Sequence, residues 1–214
     1  MSRSKYISLS LALYLLLTVV YFLPRNFAFF SACDWFVAVP TLAAAILTAV
    51  KFRSGGALIP LALLASAAGD LAGSMHDFIM QIAFFAVAHL FYIADFLPKC
   101  RKVRGRLFGV LAFAAITLVF LGYVMAHIAS QMEFYAVGVY GLIIFTMGAT
   151  AILQQRAHRL WYVVAAILFV FSDSVIAYNK FVTAVPHSGL WIMTTYYVAQ
   201  GIFISLHLSR RHSR

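Results

Sequence analysis

The stretch Ala65-Ser66-Ala67-Ala68-Gly69-Asp70 decides how the rest of the chain is interpreted. It lies in an apolar segment, residues 57–74, in which Asp70 is the only charged residue. A run of this length and composition is typical of a membrane-spanning helix. Because a carboxylate inside such a helix costs a few kcal/mol or more, it marks a functional site by default. The sequence therefore predicts a membrane protein with a functional aspartate inside the bilayer.

A second stretch, Phe171-Ser172-Asp173-Ser174, has the same character. Asp173 is the only charge within residues 161–178, and a small residue precedes it, as Gly69 precedes Asp70. The alternative is that each carboxylate only forms a hydrogen bond with a neighbouring helix. We favour a functional role for both, because ionisable groups at this depth are rarely kept for packing alone.

The composition excludes both a soluble globular domain and a disordered chain. Of 214 residues, 64% are hydrophobic and only 10% are charged. The net charge of +10 would suggest a nucleic-acid partner in a soluble protein. Here the basic residues lie in short loops between apolar runs, and no motif that reads DNA or RNA is present. We therefore interpret them as topology signals beside anionic lipid and expect no nucleic-acid partner.

Apolar segments account for most of the chain, and each can cross a hydrocarbon core of ~30 Å. There are eight, at residues 6–23, 33–50, 57–74, 78–97, 107–126, 133–153, 160–179 and 189–208. The first follows a basic start, but no convincing cleavage site precedes Pro24, so we expect it to be retained. The sequence predicts an all-α integral membrane protein of eight transmembrane helices, in a single domain over residues 1–214.

The positive charges alternate along the chain. One set of connections holds fourteen basic residues: Arg3, Lys5, Lys51, Arg53, Lys99, Arg101, Lys102, Arg104, Arg106, Arg156, Arg159, Arg210, Arg211 and Arg214. The other set holds only Arg25 and Lys180. By the positive-inside rule, both termini are cytoplasmic. We expect the protein to lie in the bacterial cytoplasmic (inner) membrane.

The two halves of the sequence, residues 1–104 and 105–214, resemble each other. Gly69-Asp70-Leu71-Ala72 corresponds to Ser172-Asp173-Ser174-Val175, and residues 87–93 correspond to residues 198–204. The third and seventh segments run in the same direction, which indicates a parallel 4+4 internal repeat. Such a repeat would bring the two aspartates to equivalent places, and we expect them to face one shared cavity.

Polar residues near the aspartates are candidates for binding water or a headgroup. Ser66 shares a helix face with Asp70, and His89 and Tyr92 can face one cavity from the fourth segment. A histidine of this kind is about as often a packing residue as a functional one. The candidates are Ser66, His89, Tyr92, Ser172, Asn179, Tyr196 and Gln200.

Other residues have structural interpretations. Pro40 can kink the second segment, and Gly69 and Gly73 permit close approach of another helix. Asp95 lies beside the basic loop and is expected to pair with Lys99 or Arg101. The tyrosines and phenylalanines of the fifth and sixth segments are expected to face lipid or to pack.

A metal site is not indicated. A zinc site needs three convergent ligands, and the outer polar residues have no diagnostic spacing. They are His76, Asp77, His127 and His187. Cys33 and Cys100 fall on opposite sides of the membrane and cannot pair. We expect no metal and no cofactor, and the sequence assigns no oligomeric state.

Two carboxyl groups at one depth in a low dielectric do not both ionise easily. Such a pair supplies a neutral acid and an anion together, the arrangement used for general acid–base hydrolysis. Each aspartate lies ~20 Å from the cytoplasmic start of its segment. A transporter or lipid-binding protein that uses the same polar cavity is the alternative, since repeats and polar groups near the midplane suit it as well.

Four motifs resemble those of the YhhN family, which includes the animal lysoplasmalogenases. They are Gly69-Asp70, Ala88-His89-Leu90-Phe91-Tyr92, Ser172-Asp173-Ser174 and Tyr196-Tyr197-Val198-Ala199-Gln200. The resemblance implies an eight-helix enzyme that hydrolyses the vinyl ether of a lysoplasmalogen, a lysophospholipid, to a fatty aldehyde and a glycerophospho-alcohol. For this reaction we expect Asp70 and Asp173 to be the catalytic residues, one as the proton donor and the other as the group that stabilises the cation and activates water.

One position departs from the family. Members often have a lysine before the proline of the second helix, and this chain has Val39-Pro40. If that lysine helps to bind a phosphate, we expect this protein either to treat headgroups differently or to act on another substrate.

We predict that reporter fusions made after Arg106 and after Arg214 both report a cytoplasmic location. The expectation follows from the split of basic residues, since each fusion point follows an even number of spans. A periplasmic or lumenal signal from either fusion would contradict the eight-helix topology.

Overall fold

The computed structural model describes residues 2–23, 33–50, 56–101 and 103–210. Several residues used for the topology prediction lie outside these ranges: Pro24, Arg25, Lys51, Arg53, Lys102, Arg211 and Arg214.

The described residues form eight α-helices and no β-strand. The helices are α1 (Arg3–Phe22), α2 (Val39–Ala49), α3 (Leu58–Ser74), α4 (Phe78–Phe96), α5 (Arg104–Met125), α6 (Gln131–Leu153), α7 (Arg159–Phe181) and α8 (Ser188–Ser209). Short 3₁₀ segments, Asp34–Ala38 and Leu97–Lys99, precede α2 and follow α4. The predicted all-α class is confirmed.

Six of these helices, α1 and α4 to α8, are long and apolar enough to cross a membrane. The helical segment Asp34–Ala49 and α3 are apolar but shorter. The chain therefore has the helices of a multi-pass membrane protein, while the count of eight spans and the orientation of the termini stay predictions.

The surface of α5 shows the character expected for contact with lipid. Val124 is its one buried residue, and Phe108, Ile116 and Val119 are among its most exposed side chains. Large exposed apolar surfaces of this kind are rare on soluble proteins and mark contact with a membrane or a partner.

Pro40 lies in the first turn of α2. It is the second residue of α2, directly after the 3₁₀ segment Asp34–Ala38. Proline suits the first turn because its missing N–H is not needed there. The predicted kink of the second segment at Pro40 stays a prediction.

The described chain divides into two compact units, residues 1–91 with 203–214, and residues 92–202. In the first unit, the Tyr6 hydroxyl donates to the carbonyl oxygen of Leu47, 2.6 Å away, and ties α1 to α2. Helix α3 approaches α4 closely: a methyl group at Gly69 would lie 3.3 Å from the carbonyl oxygen of Gln81 and from the Phe85 ring. The predicted close approach at Gly69 is confirmed.

In the second unit, α5, α6 and α7 pack on one another in chain order. Arg106 at the start of α5 donates to the carbonyl oxygens of Leu153 and Gln154, at 3.2 and 2.9 Å. It thereby satisfies carbonyls at the end of α6, which have no partner within their own helix. At the start of α6, Glu133 forms an ion pair with Lys180 of α7 at 3.2 Å.

Candidate intramembrane functional site

Asp70 lies on the protein-facing side of α3. Asp70 is only 6% exposed, and Ser66, one turn earlier, is fully buried. Leu64 and Leu71 are exposed on the same helix. The predicted shared face of Ser66 and Asp70 is therefore the buried face, and the Ser66 hydroxyl has no hydrogen-bond partner among the described residues.

His89 is fully buried on α4 in the first unit. Its Nδ1 lies 2.7 Å from the carbonyl oxygen of Phe85, one turn earlier. Because a carbonyl only accepts, Nδ1 carries the hydrogen, and Nε2 is the acceptor nitrogen of the neutral ring. This contact with its own helix orients the imidazole, as expected of a packing histidine. It leaves Nε2 as the basic nitrogen of the ring.

Tyr92 and Gln200 form a buried polar pair in the second unit. The Tyr92 hydroxyl donates to Gln200 Oε1 at 2.6 Å, and both residues are fully buried. Gln200 Nε2 has no hydrogen-bond partner among the described residues. The Tyr92 ring packs against Phe96 and Phe169, with centroids 6.1 and 6.3 Å away. The pair therefore leaves the Gln200 amide nitrogen as a buried donor group.

Asp173 is held by a tyrosine from a neighbouring helix. Asp173 is 8% exposed. The hydroxyl of Tyr140 on α6 donates to Asp173 Oδ2 at 2.5 Å. The expectation that the tyrosines of the sixth segment only pack or face lipid is wrong for Tyr140. One signal pointed to it: an intramembrane carboxylate needs a donor, and Tyr140 is the tyrosine nearest the middle of α6.

Ser172 and Asn179 make contacts with the backbone. The Ser172 hydroxyl donates to the carbonyl oxygen of Ile192 at 3.1 Å, which joins α7 to α8. Asn179 Oδ1 accepts the backbone N–H of Val185 at 2.9 Å and shapes the connection between the same helices. Their contribution to substrate binding stays a prediction.

Tyr196 on α8 is buried beside the same aromatic cluster as Tyr92. Its ring meets that of Phe169 edge-on, with centroids 5.3 Å apart. It also contacts the ring of Tyr197, whose centroid is 5.4 Å away. Aromatic packing is thus the contact that surrounds this predicted substrate-binding residue.

Asp95 pairs with Arg156, which was not one of its expected partners. Arg156 Nη1 lies 2.5 Å from Asp95 Oδ2, and Nη2 donates to the Asp95 carbonyl oxygen at 2.6 Å. The prediction that Asp95 pairs with Lys99 or Arg101 is wrong. The reason is a backbone contact: the Gln155 N–H donates to the Lys99 carbonyl oxygen and brings the end of α6 beside the end of α4.

The described residues contain no group of three His, Cys, Asp or Glu side chains that could hold a metal ion. Two residues considered for zinc, His76 and His187, have φ of 60° and 55° at helix boundaries. Histidine is among the residues that tolerate this left-handed conformation, which makes them turn residues. Both Cys33 and Cys100 are free thiols.

The predicted residues fall into both units. The first unit contains Ser66, Asp70 and His89, and the second contains Tyr92, Ser172, Asp173, Asn179, Tyr196 and Gln200. The shared cavity of the two aspartates stays a prediction.

These features define a class: a multi-pass, all-helical membrane protein with polar and carboxyl side chains buried among its apolar helices. Comparison with known sequences is more specific. A sequence profile of the YhhN family matches residues 33–206, so the chain belongs to the YhhN family.

Relatives are identical to this chain at about a third of the aligned residues. The human protein named lysoplasmalogenase TMEM86B is 35% identical in an alignment of 174 residues that covers 78% of this chain and 73% of that protein. Human lysoplasmalogenase TMEM86A is 36% identical over 64% of this chain and 60% of its own length. The Mycobacterium bovis lysoplasmalogenase is 32% identical over 58% of this chain and 50% of its own length. No solved structure matches this chain significantly.

We predict that Tyr92→Phe lowers the midpoint of thermal unfolding of the purified protein in detergent. The substitution leaves Gln200 Oε1 buried without its donor, which costs about 1–3 kcal/mol. Tyr123→Phe is the control, because Tyr123 is exposed and loses no buried hydrogen bond. Equal midpoints for the two variants would contradict a stabilising role for the Tyr92–Gln200 pair.

Proposed function

We propose that this protein is a membrane-embedded hydrolase of the lysoplasmalogenase type. It cleaves the vinyl ether bond of a lysoplasmalogen to a fatty aldehyde and a glycerophospho-alcohol. The observation that carries the proposal is membership of the YhhN family, together with relatives that bear the name lysoplasmalogenase at 32–36% identity. The buried aspartates supply chemistry that suits this reaction.

Vinyl ether hydrolysis needs an acid before it needs a nucleophile. Protonation of the β-carbon converts the vinyl ether into an oxocarbenium ion. Water adds to that cation and loses a proton, which gives a hemiacetal. The hemiacetal then separates into the aldehyde and the free hydroxyl of the glycerol. The proton consumed in the first step is returned when water adds, so the net reaction consumes only water.

Asp70 and Asp173 are the two groups that we assign to this chemistry. One carboxyl donates the proton, and the other carboxylate stabilises the cation and accepts the proton of the attacking water. Glycosidases handle a comparable cation with a pair of carboxyl groups. The remaining candidates bind the substrate or support the carboxyl groups: Ser66, His89, Tyr92, Ser172, Asn179, Tyr196 and Gln200.

Tyr140 joins this set as a positioning residue. Its hydroxyl holds Oδ2 of Asp173 at 2.5 Å and fixes the rotation of the carboxyl group. Gln200 offers a buried N–H that has no partner among the described residues. A hydroxyl of the glycerol would satisfy that donor, which gives the site a reason to prefer a lysolipid over a diacyl lipid.

We place the protein in the bacterial cytoplasmic membrane, with eight spans in a 4+4 arrangement and both termini in the cytoplasm. The substrate enters from the outer leaflet. Asp173 lies 14 residues, about 21 Å, beyond the start of α7, and Asp70 lies about 18 Å beyond the start of α3. Both positions are closer to the outer surface of a ~30 Å core, where the first chain atoms of a lysolipid lie.

We predict that Asp70→Asn and Asp173→Asn each retain the fold and lose release of fatty aldehyde. An amide can neither donate the proton nor act as the anion, so turnover falls by about 100-fold or more. The assay is aldehyde production from choline and ethanolamine lysoplasmalogens by the purified protein in detergent.

Asp77→Asn is the matched control for this experiment. Asp77 caps α4 by accepting the Met80 N–H at 3.0 Å, and asparagine caps a helix equally well. Wild-type turnover in both catalytic variants would remove the aspartates from the chemistry. Absence of turnover by the wild type on both substrates would leave the family fold, with lipid transport or binding as the function of the buried polar groups.

We predict that Tyr140→Phe lowers kcat by about 10- to 100-fold and leaves KM nearly unchanged, because a hydrogen bond to a charged group contributes about 1.5–3 kcal/mol. Turnover is measured well below the unfolding temperature of the variant. Tyr135→Phe is the control, since Tyr135 is on the same helix and exposed. An unchanged kcat for Tyr140→Phe would restrict Tyr140 to packing.

A further inference from the structure

A basic pocket lies where α4 and α6 end and α7 begins, within the second unit. Its volume is about 280 Å³, and it is lined by Pro98, Lys99, Cys100, Arg101, Gln155 and Arg156. Half of these residues carry a positive charge, and none is acidic. The proposed hydrolysis uses none of them, so the pocket needs an explanation of its own.

The backbone holds the pocket in shape. Cys100 and Gln154 form an isolated antiparallel bridge. The Gln155 N–H donates to the Lys99 carbonyl oxygen at 2.9 Å, and the Arg101 N–H donates to the Leu153 carbonyl oxygen at 3.3 Å. The two connecting segments therefore lie side by side, and the positions of Lys99 and Arg101 do not depend on a long loop.

The described residues balance only part of the positive charge in the pocket. Asp95 binds Arg156 through both its carboxyl and its carbonyl oxygen, which fixes the guanidinium and balances one positive charge. The side chains of Lys99 and Arg101 are exposed. Three cations and one carboxylate leave two positive charges. Burial raises the pKa of the Cys100 thiol, so the thiol adds no negative charge at neutral pH.

We propose that this pocket binds a phosphate group, supplied by the headgroup of an anionic phospholipid in the adjacent leaflet. Lys99 and Arg101 contact the phosphate oxygens, and the fixed Arg156 adds a third cation. Arginine binds phosphate with two parallel hydrogen bonds, and basic pockets between membrane helices suit lipid headgroups. The volume is below the ~300–1,000 Å³ that encloses a drug-sized ligand, so it fits one headgroup rather than a whole lipid.

The test is a binding titration of the purified full-length protein in detergent with fluorescent phosphatidylglycerol, and with fluorescent phosphatidylcholine for comparison. Wild type should bind phosphatidylglycerol at least about tenfold more tightly than phosphatidylcholine. Lys99→Gln/Arg101→Gln removes two exposed cations and should weaken phosphatidylglycerol binding roughly 30-fold.

Lys5→Gln/Arg104→Gln is the matched control. It removes the same charge from two exposed residues that do not line the pocket, and its affinity should stay within about twofold of wild type. Thermal unfolding midpoints of both double variants establish that each is folded. Equal binding of the two lipids by wild type, or equal loss of affinity in both double variants, would overturn the proposal.

Competition with soluble glycerol 3-phosphate distinguishes the two sources of the phosphate. Failure of millimolar glycerol 3-phosphate to displace phosphatidylglycerol supports the lipid headgroup as the ligand. Complete displacement would overturn the lipid assignment and make the pocket a site for a soluble phosphate ester. None of the pocket residues belongs to the proposed catalytic set, so this outcome is independent of aldehyde release.

Discussion

A polar group inside a hydrocarbon layer must find its partner within the protein, and the structure of the second unit depends on this requirement. Tyr140 on α6 satisfies Asp173 on α7, and Ser172 satisfies a carbonyl oxygen on α8. Tyr92 and Gln200 join α4 to α8 in the same way. Between helices whose other surfaces are as apolar as lipid, such contacts and close packing determine which faces meet.

Several buried polar atoms of the described residues are exceptions to this rule, and two of them suit a ligand site. The Ser66 hydroxyl in the first unit and Gln200 Nε2 in the second are buried without a partner among the described residues. Each unsatisfied group lowers the stability of the folded protein by about 1–3 kcal/mol. A requirement of folding alone does not explain why such a group is present. Water or a substrate hydroxyl would recover that free energy. Both groups belong to the residues that we assign to substrate binding.

The sequence predicted those features that depend on one helix at a time. Uninterrupted apolar runs gave the positions of the helices, and lone charges gave Asp70 and Asp173 as buried carboxyl groups. Contacts between helices were harder to predict from the sequence. Spacing within one segment does not show that Tyr140 is the partner of Asp173 or that Arg156 is the partner of Asp95. The position of Pro40 in the first turn of α2 was also not predictable, because a proline inside an apolar run does not reveal where an α-helix starts.

The charges of α7 relate the proposed reaction to the membrane. Arg159 begins the helix and Lys180 lies 21 residues later, about 32 Å away, which is close to the thickness of the hydrocarbon core. Asp173 therefore lies about 10 Å from the Lys180 end and about 21 Å from the Arg159 end. A lysolipid carries its vinyl ether next to the glycerol, within a few atoms of the headgroup. A lysolipid whose headgroup lies at the level of Lys180 can bring its vinyl ether to Asp173. A lysolipid whose headgroup lies at the level of Arg159 would have to move its headgroup out of the membrane interface to do so.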